Sequence, residues 1–272
     1  MRMEALGNIK KEKERKKIAV VTGASSGMGR EFVRAIARDY EKSIQEIWVI
    51  ARRRERLEEL QKELSKSMKL RLISLDITDD DSYEEYVTRL KKENPKVCIL
   101  VNSAGYGKIG EFKESPREDA LGMVKLNCEA LVKVTYDTLP YMVKKGKIIQ
   151  LASAASFLPQ PSFAIYAASK AFVTSFSNAL SWELSKRQIT VTAVCPGPVK
   201  TEFFDIAEEN SSIPLYKKLI MANPVKVVRK AMRDMRLGKN ISVYGITMNA
   251  FRILCKVCPN KILMNLGFQK EE

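Results

Sequence analysis

The chain has 272 residues, 45% of them hydrophobic and 29% charged, which suits one large α/β domain better than two small ones. It contains no histidine. This excludes Ser-His-Asp and Cys-His hydrolases, zinc sites built on histidine and any imidazole general base. Acid and base chemistry near neutral pH must therefore use another side chain.

The net charge of +15 lies mainly at the two ends of the chain. Residues 1–17 carry seven Lys and Arg against three acids, and residues 217–272 carry twelve against three, so the middle is nearly neutral. We expect a basic tail over residues 1–17, a domain over residues 18–245 and a basic, apolar extension over residues 246–272.

The cysteines and the hydropathy pattern favour an intracellular protein without a metal site. The five cysteines are an odd number and lie mostly in apolar runs, as expected of reduced core thiols. Cys255 and Cys258 form a CxxC pair, but no second pair or histidine completes a metal site. The longest uncharged run near the C-terminus, residues 240–251, is shorter than the roughly 20 residues that span a bilayer. The N-terminus lacks the apolar segment of a signal peptide, so we expect a cytoplasmic protein, free or peripheral at a membrane surface.

Strand-like apolar runs alternate with helix-length amphipathic segments, which is the pattern of repeated βα units around a parallel sheet. It predicts a single α/β domain with a Rossmann-type, doubly wound, seven-stranded parallel sheet. The predicted strands are residues 18–22, 46–50, 70–75, 97–101, 147–151, 190–194 and 241–244. The predicted helices are residues 27–40, 53–65, 79–92, 117–143 and 164–185. Such sheets bind ligands at the carboxyl ends of their strands.

The first predicted strand runs into TGASSGMG, residues 22–29, and then into a helix. In this setting Gly23 permits a tight turn, Gly27 lets the backbone approach a pyrophosphate and Gly29 lets the helix pack close to the strand. The spacing is GxxxGxG rather than the commoner GxGxxG, and taken alone it also fits an ordinary turn. Together with the next strand it predicts a dinucleotide site.

The second predicted strand leads into Arg52 and Arg53, where a fold that uses NAD places an acid on the ribose 2′-hydroxyl. Guanidinium groups instead suit a 2′-phosphate, because they donate forked, charge-assisted hydrogen bonds. We therefore expect NADP(H), with Arg52 as the first phosphate ligand and the Ser25 hydroxyl as a further donor. Arg54 and Arg56 are interpreted as the solvated start of a helix.

Tyr166 and Lys170 lie four residues apart on a predicted helix and so share one face. A tyrosine with a pKa of about 10 is too weakly acidic to exchange protons readily at pH 7. A cation about 4 Å away, at an effective dielectric constant of about 20, favours the phenolate by roughly 4 kcal/mol, or about three pKa units. We therefore predict that Lys170 lowers the pKa of Tyr166 and that this pair transfers a proton to a carbonyl oxygen. Ser153, after the fifth strand, is placed to hydrogen-bond the same oxygen.

Several motifs occur in the order typical of one family. They are TGASSGMG, Asp76-Ile77 after the third strand, NSAG at residues 102–105, Asn127 in a helix, Ser153, Tyr166 with Lys170, and PGPVKT at residues 196–201. From residue 18 to about residue 244 the chain resembles the short-chain dehydrogenase/reductase family, in particular its NADP-preferring hydroxysteroid dehydrogenases and carbonyl reductases. Ser103 stands where the family more often has a second asparagine, which weakens a turn preference and touches no catalytic role.

The resemblance implies hydride transfer between a nicotinamide and a carbonyl or secondary alcohol. It implies that Ser153 hydrogen-bonds the substrate oxygen, that Asn127 supports a water-linked proton path through Lys170, and that Lys170 also holds the nicotinamide ribose. The residues expected to hold the cofactor, from the motifs and the resemblance together, are Gly23, Ser25, Ser26, Gly27, Met28, Gly29, Arg52, Arg53, Asp76, Ile77, Asn102, Ala104, Gly105, Tyr166, Lys170, Pro196, Gly197, Val199 and Thr201.

Large apolar side chains lie between Ser153 and Tyr166 and in a predicted lid over about residues 201–235. They predict a cavity for a hydrophobic ketone or secondary alcohol, such as a steroid or an acyl-chain derivative. Two other functions stay open: a reductase of carrier-bound 3-oxoacyl groups, whose acidic carrier the basic ends would attract, and a non-catalytic NADPH sensor. The candidate substrate contacts besides Ser153 and Tyr166 are Phe157, Phe163, Phe203 and Phe204, with Leu158, Leu215 and Tyr216 nearby.

The basic, apolar C-terminal extension has two interpretations. One is an amphipathic surface that rests on anionic lipid, and the other is a solvated helix that packs one face on the core. Nucleic-acid binding is not expected, because charge without a reading motif gives only salt-sensitive contacts. The resemblance implies a homodimer through helices 117–143 and 164–185, and it leaves a tetramer open.

Overall fold

Seven parallel strands form one sheet in the order β3-β2-β1-β4-β5-β6-β7. The computed structural model that shows this sheet describes residues 15–203, 207 and 221–267. Because β1 pairs with β2 on one side and with β4 on the other, the chain reverses direction across the sheet between β1 and β4. This confirms the predicted doubly wound α/β fold. The strands are β1 (Lys17–Thr22), β2 (Glu46–Ala51), β3 (Leu70–Ser74), β4 (Lys96–Asn102), β5 (Met142–Leu151), β6 (Thr190–Val194) and β7 (Ile241–Ser242).

Helices cover both faces of the sheet, which is why its central strands are apolar on both sides. Along β1, Ala19 and Val21 pack into one helical layer, whereas Ile18 and Val20 pack into the other. The first layer holds α1 (Gly27–Tyr40), α2 (Arg54–Leu64) and α7 (Pro224–Arg236). The helices that follow β3, β4 and β5 lie on the opposite side: α3 (Asp80–Glu93), α4 (Arg117–Val124), α5 (Leu131–Thr138) and α6 (Ala164–Glu183).

The helix predicted over residues 117–143 is helical up to Tyr141, but it is not one regular α-helix. The chain leaves α4 through a π-helical segment, Lys125–Ala130, continues as α5, and ends in a 3-10 turn at Pro140. β5 then begins at Met142, five residues before the predicted start. A periodicity of 3.6 residues does not reveal a π-helical insertion, since the apolar positions on either side still alternate as in a helix.

Residues 224–235, which we placed in the substrate lid, instead form most of α7. Asn223 caps this helix by accepting a hydrogen bond from the Val225 amide at 2.9 Å, and Pro224 begins it. Val228, Ala231 and Met232 are fully buried against the layer that contains α1. The rest of the predicted lid, except residues 201–203, 207 and 221–223, lies outside the described residues.

Two helices follow the last strand: α8 (Ile246–Val257) and α9 (Asn260–Gly267). They cross the carboxyl end of the sheet, where α8 packs against the turn after β6. Within the described part of the chain, no helix is both long and apolar enough to span a bilayer.

Candidate active site

A cavity of about 1020 Å³ opens at the carboxyl end of the sheet. It runs from the loops after β1 and β2, past the loops after β4, β5 and β6, to α8 and α9. Most of the predicted site residues line it, so the structure brings them together. They are Gly23, Ser25, Ser26, Gly27, Met28, Gly29, Arg52, Arg53, Asp76, Ile77, Ala104, Gly105, Ser153, Phe163, Tyr166, Lys170, Pro196, Gly197, Val199, Thr201 and Phe203.

At Gly23 and Gly29 the glycine loop is packed so tightly that a side chain does not fit. Gly23 has a φ of +66°, and a Cβ built on it would lie 2.7 Å from the backbone nitrogen of Ala104. A Cβ on Gly29 would collide with the carbonyl oxygen of Gly23. The loop leads directly into the N-terminus of α1, whose first turn contains no acid. Free backbone N–H groups at such an N-terminus form a site for a pyrophosphate.

The hydroxyl of Thr22 joins this loop to the neighbouring one. It accepts hydrogen bonds from the amides of Ser103 and Ala104, both at 3.2 Å. These hydrogen bonds hold the loop after β4 against the loop after β1, and both loops line the nucleotide end of the cavity.

Arg53, rather than Arg52, lies closest to the glycine loop. Its guanidinium donates to the hydroxyls of Ser26 at 2.9 Å and Ser25 at 3.3 Å. Arg52 was our first choice as phosphate ligand, but its side chain is 76% exposed and lies 3.6 Å from a carboxylate oxygen of Asp76. Both arginines line the cavity, and their order along the chain does not reveal which one the turn after β2 directs toward the glycine loop.

Glu202 is a residue of this end that the sequence did not point to. Its carboxylate accepts a hydrogen bond from Arg53 at 3.1 Å and also pairs with Arg56. Arg56, interpreted from the sequence as a solvated helix start, is therefore paired. The hydrogen bond from Arg56 and the one from Arg53 hold the pKa of Glu202 below its usual value.

At the other end of the cavity, Ser153, Tyr166 and Lys170 form a polar group in which Tyr166 and Lys170 are buried and Ser153 is partly exposed. The Ser153 hydroxyl acts on the phenol of Tyr166 and lowers its pKa. The Lys170 ammonium donates to the carbonyl oxygen of Leu151 at 2.8 Å and lies 5.6 Å from the centroid of the Tyr166 ring. The ring of Phe163 stacks on Tyr166 with a centroid distance of 4.3 Å. One turn of α6 thus places the phenol and the amine at the same cavity wall.

The pKa of Tyr166 is shifted in the direction opposite to our prediction. Burial raises the pKa of Tyr166 to about 12, and the hydrogen bond from Ser153 opposes this only in part. Burial also lowers the pKa of Lys170 to about 8. The sequence argument placed a cation about 4 Å from the phenol at a moderate dielectric constant; in the structure, the loss of hydration of both groups outweighs that attraction.

Asn127 lies in the π-helical segment and is fully buried. Its side chain accepts from the amide of Tyr106 at 3.1 Å and donates to the carbonyl oxygen of Tyr106 at 2.9 Å. A Cβ built on Gly105 would lie 2.8 Å from the Asn127 Oδ1 and 3.3 Å from the Lys170 Nζ. Asn127 and Lys170 therefore lie side by side beneath Gly105, and the extra residue of the π-helical segment is what turns the amide inward.

Among the described residues, Asn102 and Phe157 do not line the cavity as expected. The Asn102 side chain is buried in the sheet, where its amide nitrogen donates to Thr135 and Gln150, both at 2.9 Å. Phe157 packs against the core cluster around Val173 instead of facing the cavity. Phe204 lies outside the described residues, as do Leu215 and Tyr216.

The cavity also has a wall that we did not assign to it. α8 and α9 contribute apolar side chains, and Met248 lies so close to Gly197 that a Cβ there would be 2.6 Å from its sulfur. The amphipathic period of residues 246–257 was available as a signal, but nothing in the sequence indicates that one face of it covers the active site. These wall residues are Met248, Phe251, Leu254, Leu263 and Leu266.

The residues at the nucleotide end fit a nicotinamide dinucleotide. The glycine cradle admits a close backbone approach, Arg53 with Ser25 and Ser26 provides cationic and hydroxyl donors, and the cavity is long enough to continue to Tyr166. A metal has no comparable support: in the described part of the chain no three His, Cys, Asp or Glu side chains cluster, and Cys255 and Cys258 are free thiols.

Comparisons with known proteins identify the family. A family model described as short chain dehydrogenase matches residues 17–211. The chain is similar to sulfoacetaldehyde reductase 2 of Chromohalobacter salexigens, at 34% identity over 68% of this chain and 74% of that protein. It is also similar to 11-beta-hydroxysteroid dehydrogenase-like 3 of Arabidopsis thaliana, at 29% identity over 96% of this chain and 84% of that protein.

A solved structure shares the fold. A short-chain dehydrogenase from Sphingobium yanoikuyae in complex with NADPH superposes with a TM-score of 0.77 at 24% identity, covering 94% of this chain and 98% of that one. The matched region, residues 17–211, contains both the glycine loop and the Ser153–Tyr166–Lys170 group. The chain belongs to the short-chain dehydrogenase/reductase family and is an oxidoreductase that acts on CH–OH and C=O groups.

Proposed function

We propose that the protein is an NADP(H)-dependent reductase of a hydrophobic ketone, with the corresponding secondary alcohol as the product of the forward direction. One observation carries this proposal: the group of Ser153, Tyr166 and Lys170 lines the same cavity as a set of large apolar side chains from the loop before α6, from Phe203 and from α8 and α9. Both parts are needed for the proposed reaction. The polar group donates the proton, and the apolar side chains select a hydrophobic substrate.

The preference for NADP(H) over NAD(H) rests on the end of β2. Arg53 is positioned by two hydroxyls, and the nearest acid after β3, Asp76, accepts hydrogen bonds from the amide and hydroxyl of Thr78. A 2′-phosphate would gain a guanidinium and two hydroxyl donors at this point. When bound, NADP(H) supplies or accepts the hydride.

Tyr166 acts as the proton donor to the ketone oxygen. With a pKa of about 12 the phenol is protonated throughout the neutral range, so the donor form is always present. Ser153 donates a second hydrogen bond to the same oxygen and shares its developing charge. Alcohol oxidation uses the phenolate instead, and the raised pKa of Tyr166 makes that form scarce near pH 7.

Lys170 and Asn127 make hydrogen bonds that fix the position of Tyr166 and lead from it into the protein interior. The Lys170 ammonium is anchored on the Leu151 carbonyl, and the amide of Asn127 donates to Ser169 at 3.0 Å. Ser169 in turn donates to the Tyr166 carbonyl at 2.7 Å. A proton that leaves Tyr166 can be replaced through the side of the site on which Lys170 and Asn127 lie.

The apolar wall supports a sizeable hydrophobic substrate. Phe163 and Phe203 flank the Tyr166 ring with centroid distances of 4.3 and 5.3 Å, and Leu158 and Phe251 extend the same surface. Burying these side chains against an apolar ligand removes their surface from water, which favours a hydrophobic substrate over a small, strongly hydrated acid. A steroid-like or lipid-like ketone is accordingly the substrate class that we propose.

A homodimer is part of the proposal. The outer faces of α4, α5 and α6 expose large apolar side chains in one region, including Phe172 and Trp182 on α6. Apolar surface of this kind marks protein interfaces, and pairing α6 and its neighbours in two copies would cover it. Sedimentation of the purified protein reports the oligomeric state directly.

A substrate panel tests the function. Steroid ketones, long-chain aliphatic ketones, sulfoacetaldehyde and 3-oxoacyl thioesters are each offered with NADPH and with NADH, and cofactor oxidation is followed by absorbance. We expect turnover of the hydrophobic ketones with NADPH. Turnover confined to 3-oxoacyl thioesters, or to small acids, would overturn the substrate assignment, and faster turnover with NADH would overturn the cofactor assignment.

The role of Tyr166 is tested by the substitution Tyr166→Phe. We expect it to leave NADPH binding unchanged and to lower kcat by at least about 100-fold, because a positioned general acid contributes roughly 10²–10⁴ in rate. Tyr136→Phe is the matched control, since that tyrosine is exposed on α5 and far from the cavity. Unchanged turnover in Tyr166→Phe would refute the assignment of the proton donor.

A further inference from the structure

The two C-terminal helices carry an apolar stripe on their outer side. On α8, Ile246, Ala250, Ile253 and Val257 recur at intervals of four, three and four residues, which places them on one face. On α9, Ile262 and Leu266 are one turn apart. The five large side chains of this set are between 52% and 90% exposed, although a solvated helix face normally carries polar residues there.

The charged side chains on α8 and α9 themselves all have one sign. Between Asp234 and Glu271 the sequence contains no acid, whereas Lys256 and Lys261 are exposed on α8 and α9 themselves. Lys256 lies beside the stripe, and Lys261 adjoins Ile262. An exposed apolar stripe flanked by lysines alone matches a surface that is apolar inside and anionic outside.

The opposite face of the same helices belongs to the cavity. Met248 and Phe251 on α8 and Leu263 on α9 point toward it, away from the stripe. Leu254 and Leu266 line the cavity and are also exposed, so they form its edge at the outer surface. The two helices therefore separate the active-site cavity from the surface that carries the stripe.

We propose that the outer face of α8 and α9 docks on an anionic lipid membrane. The apolar stripe enters the acyl boundary while Lys256 and Lys261 contact lipid headgroups. A second copy of the chain is a poorer occupant, because a symmetric contact would bring two acid-free, basic surfaces together. A membrane satisfies the apolar side chains and the positive charge at once.

Docking in this way places the cavity edge at the lipid surface. A hydrophobic ketone dissolved in the bilayer could then enter between Leu254 and Leu266 without crossing water. This second part rests on the proposed function, whereas docking itself depends only on the stripe and its charge.

Vesicle flotation with the full-length protein tests the docking. Vesicles of phosphatidylcholine with phosphatidylglycerol are compared with vesicles of phosphatidylcholine alone, at low and high salt. We expect flotation only with the anionic vesicles, weakened by salt. The double variant Ile253→Glu/Val257→Glu replaces no residue that lines the cavity, and we expect it to reduce the bound fraction at least tenfold. We expect the same reduction from Lys256→Glu/Lys261→Glu.

Leu237→Glu is the matched control, because Leu237 is 61% exposed but lies before the amino end of β7, whereas α8 follows the carboxyl end of that strand. Thermal melting checks that every variant is folded, so the outcome does not depend on whether a substrate has been found. A wild-type protein that does not float, or stripe variants that float like wild type, would overturn the proposal. So would a stripe substitution that changes only the oligomer size in sedimentation, since a second copy would then cover the stripe.

Discussion

The nucleotide end of the cavity and its substrate end are built in different ways. At the nucleotide end the closest approaches are between backbone atoms, as where Gly23 meets Ala104 and Gly29 meets Gly23. At the substrate end they involve side chains, as where Phe163 stacks on Tyr166 and the Met248 side chain packs over Gly197. Backbone cannot repack, whereas side chains can. The first end should therefore tolerate almost no change, and the second should be adjustable.

The largest effect is expected from Gly29→Ala. Its new Cβ would collide with the Gly23 carbonyl, so either the loop or α1 must shift. We expect NADPH affinity to fall at least about 100-fold and stability to fall by roughly 3 kcal/mol, the upper end of overpacking costs. NADPH titration and thermal melting measure the two effects.

The control for that experiment is Gly110→Ala. A Cβ at Gly110 meets only the hydroxyl of Ser115, at 3.2 Å, and Gly110 is remote from the glycine loop. It should melt and bind NADPH like wild type. If Gly29→Ala did the same, the nucleotide end would be as adjustable as the substrate end.

Lys170→Met probes the boundary between the two ends. Burial lowers the pKa of Lys170 to about 8 from its ordinary value of 10.5. Between these two pH values the unfolded chain binds more protons than the folded one, so the contribution of this lysine to stability rises with pH and is most unfavourable below pH 8. The variant should lose turnover yet be more stable at pH 7, by at most about 3 kcal/mol.

The stability difference between Lys170→Met and wild type should shrink as the pH is raised from 8 toward 10.5. Denaturant titrations across that range measure it, and all other lysines cancel in the comparison. A difference that is constant with pH would mean that Lys170 carries no buried charge.

A smaller effect is expected at the substrate end, from Gly197→Ala. Its Cβ would lie 2.6 Å from the sulfur and 3.0 Å from the Cγ of Met248, so α8 must move or Met248 must change rotamer. We expect KM for the hydrophobic ketone to rise about fivefold, or roughly 1 kcal/mol. Adding Met248→Ala should restore it, because the two residues are directly coupled. If the double variant is no better than the single one, α8 does not form the wall that we describe.

The smallest effect is expected from Glu202→Gln. The Glu202 carboxylate occupies guanidinium donors of Arg53 that a 2′-phosphate would use. Releasing it should tighten NADPH binding about threefold, in the range of exposed ion pairs, and leave NADH binding unchanged. Glu58→Gln breaks a matched pair with Arg54 at 3.0 Å on the same surface and should have no effect. Weaker NADPH binding would show that Glu202 positions Arg53 instead of competing for it.

The features that could be predicted from the sequence depend on short-range geometry. The alternation of apolar runs and amphipathic helices was sufficient for the seven-stranded sheet, and TGASSGMG after a strand was sufficient for the cradle. Tyr166 and Lys170 share a helix face because α6 is regular through both residues. In each case the signal is a pattern of neighbouring residues within one strand, one helix or the turn between them.

Other features escaped prediction because they depend on what packs against them. The π-helical segment at Asn127 leaves the apolar pattern of the sequence intact. The sequence around Phe157 indicates a cavity residue, but in the structure Phe157 packs against the core around Val173. The choice between Arg52 and Arg53 depends on the direction of the turn after β2. α8 and α9 line the cavity because the chain after β7 packs against the loop after β6, a contact between segments about 50 residues apart.

The pKa of Tyr166 shows where the boundary between the two kinds of information lies. The spacing of Tyr166 and Lys170 established that an amine stands one turn from a phenol, since helix geometry is local. Whether the amine lowers the pKa of Tyr166 or the loss of hydration raises it depends on how deeply the phenol is buried. Phe163 and Phe203, which pack against the ring, contribute to that burial. Chemical identity and local geometry are properties of the chain, whereas solvation is a property of the packed molecule.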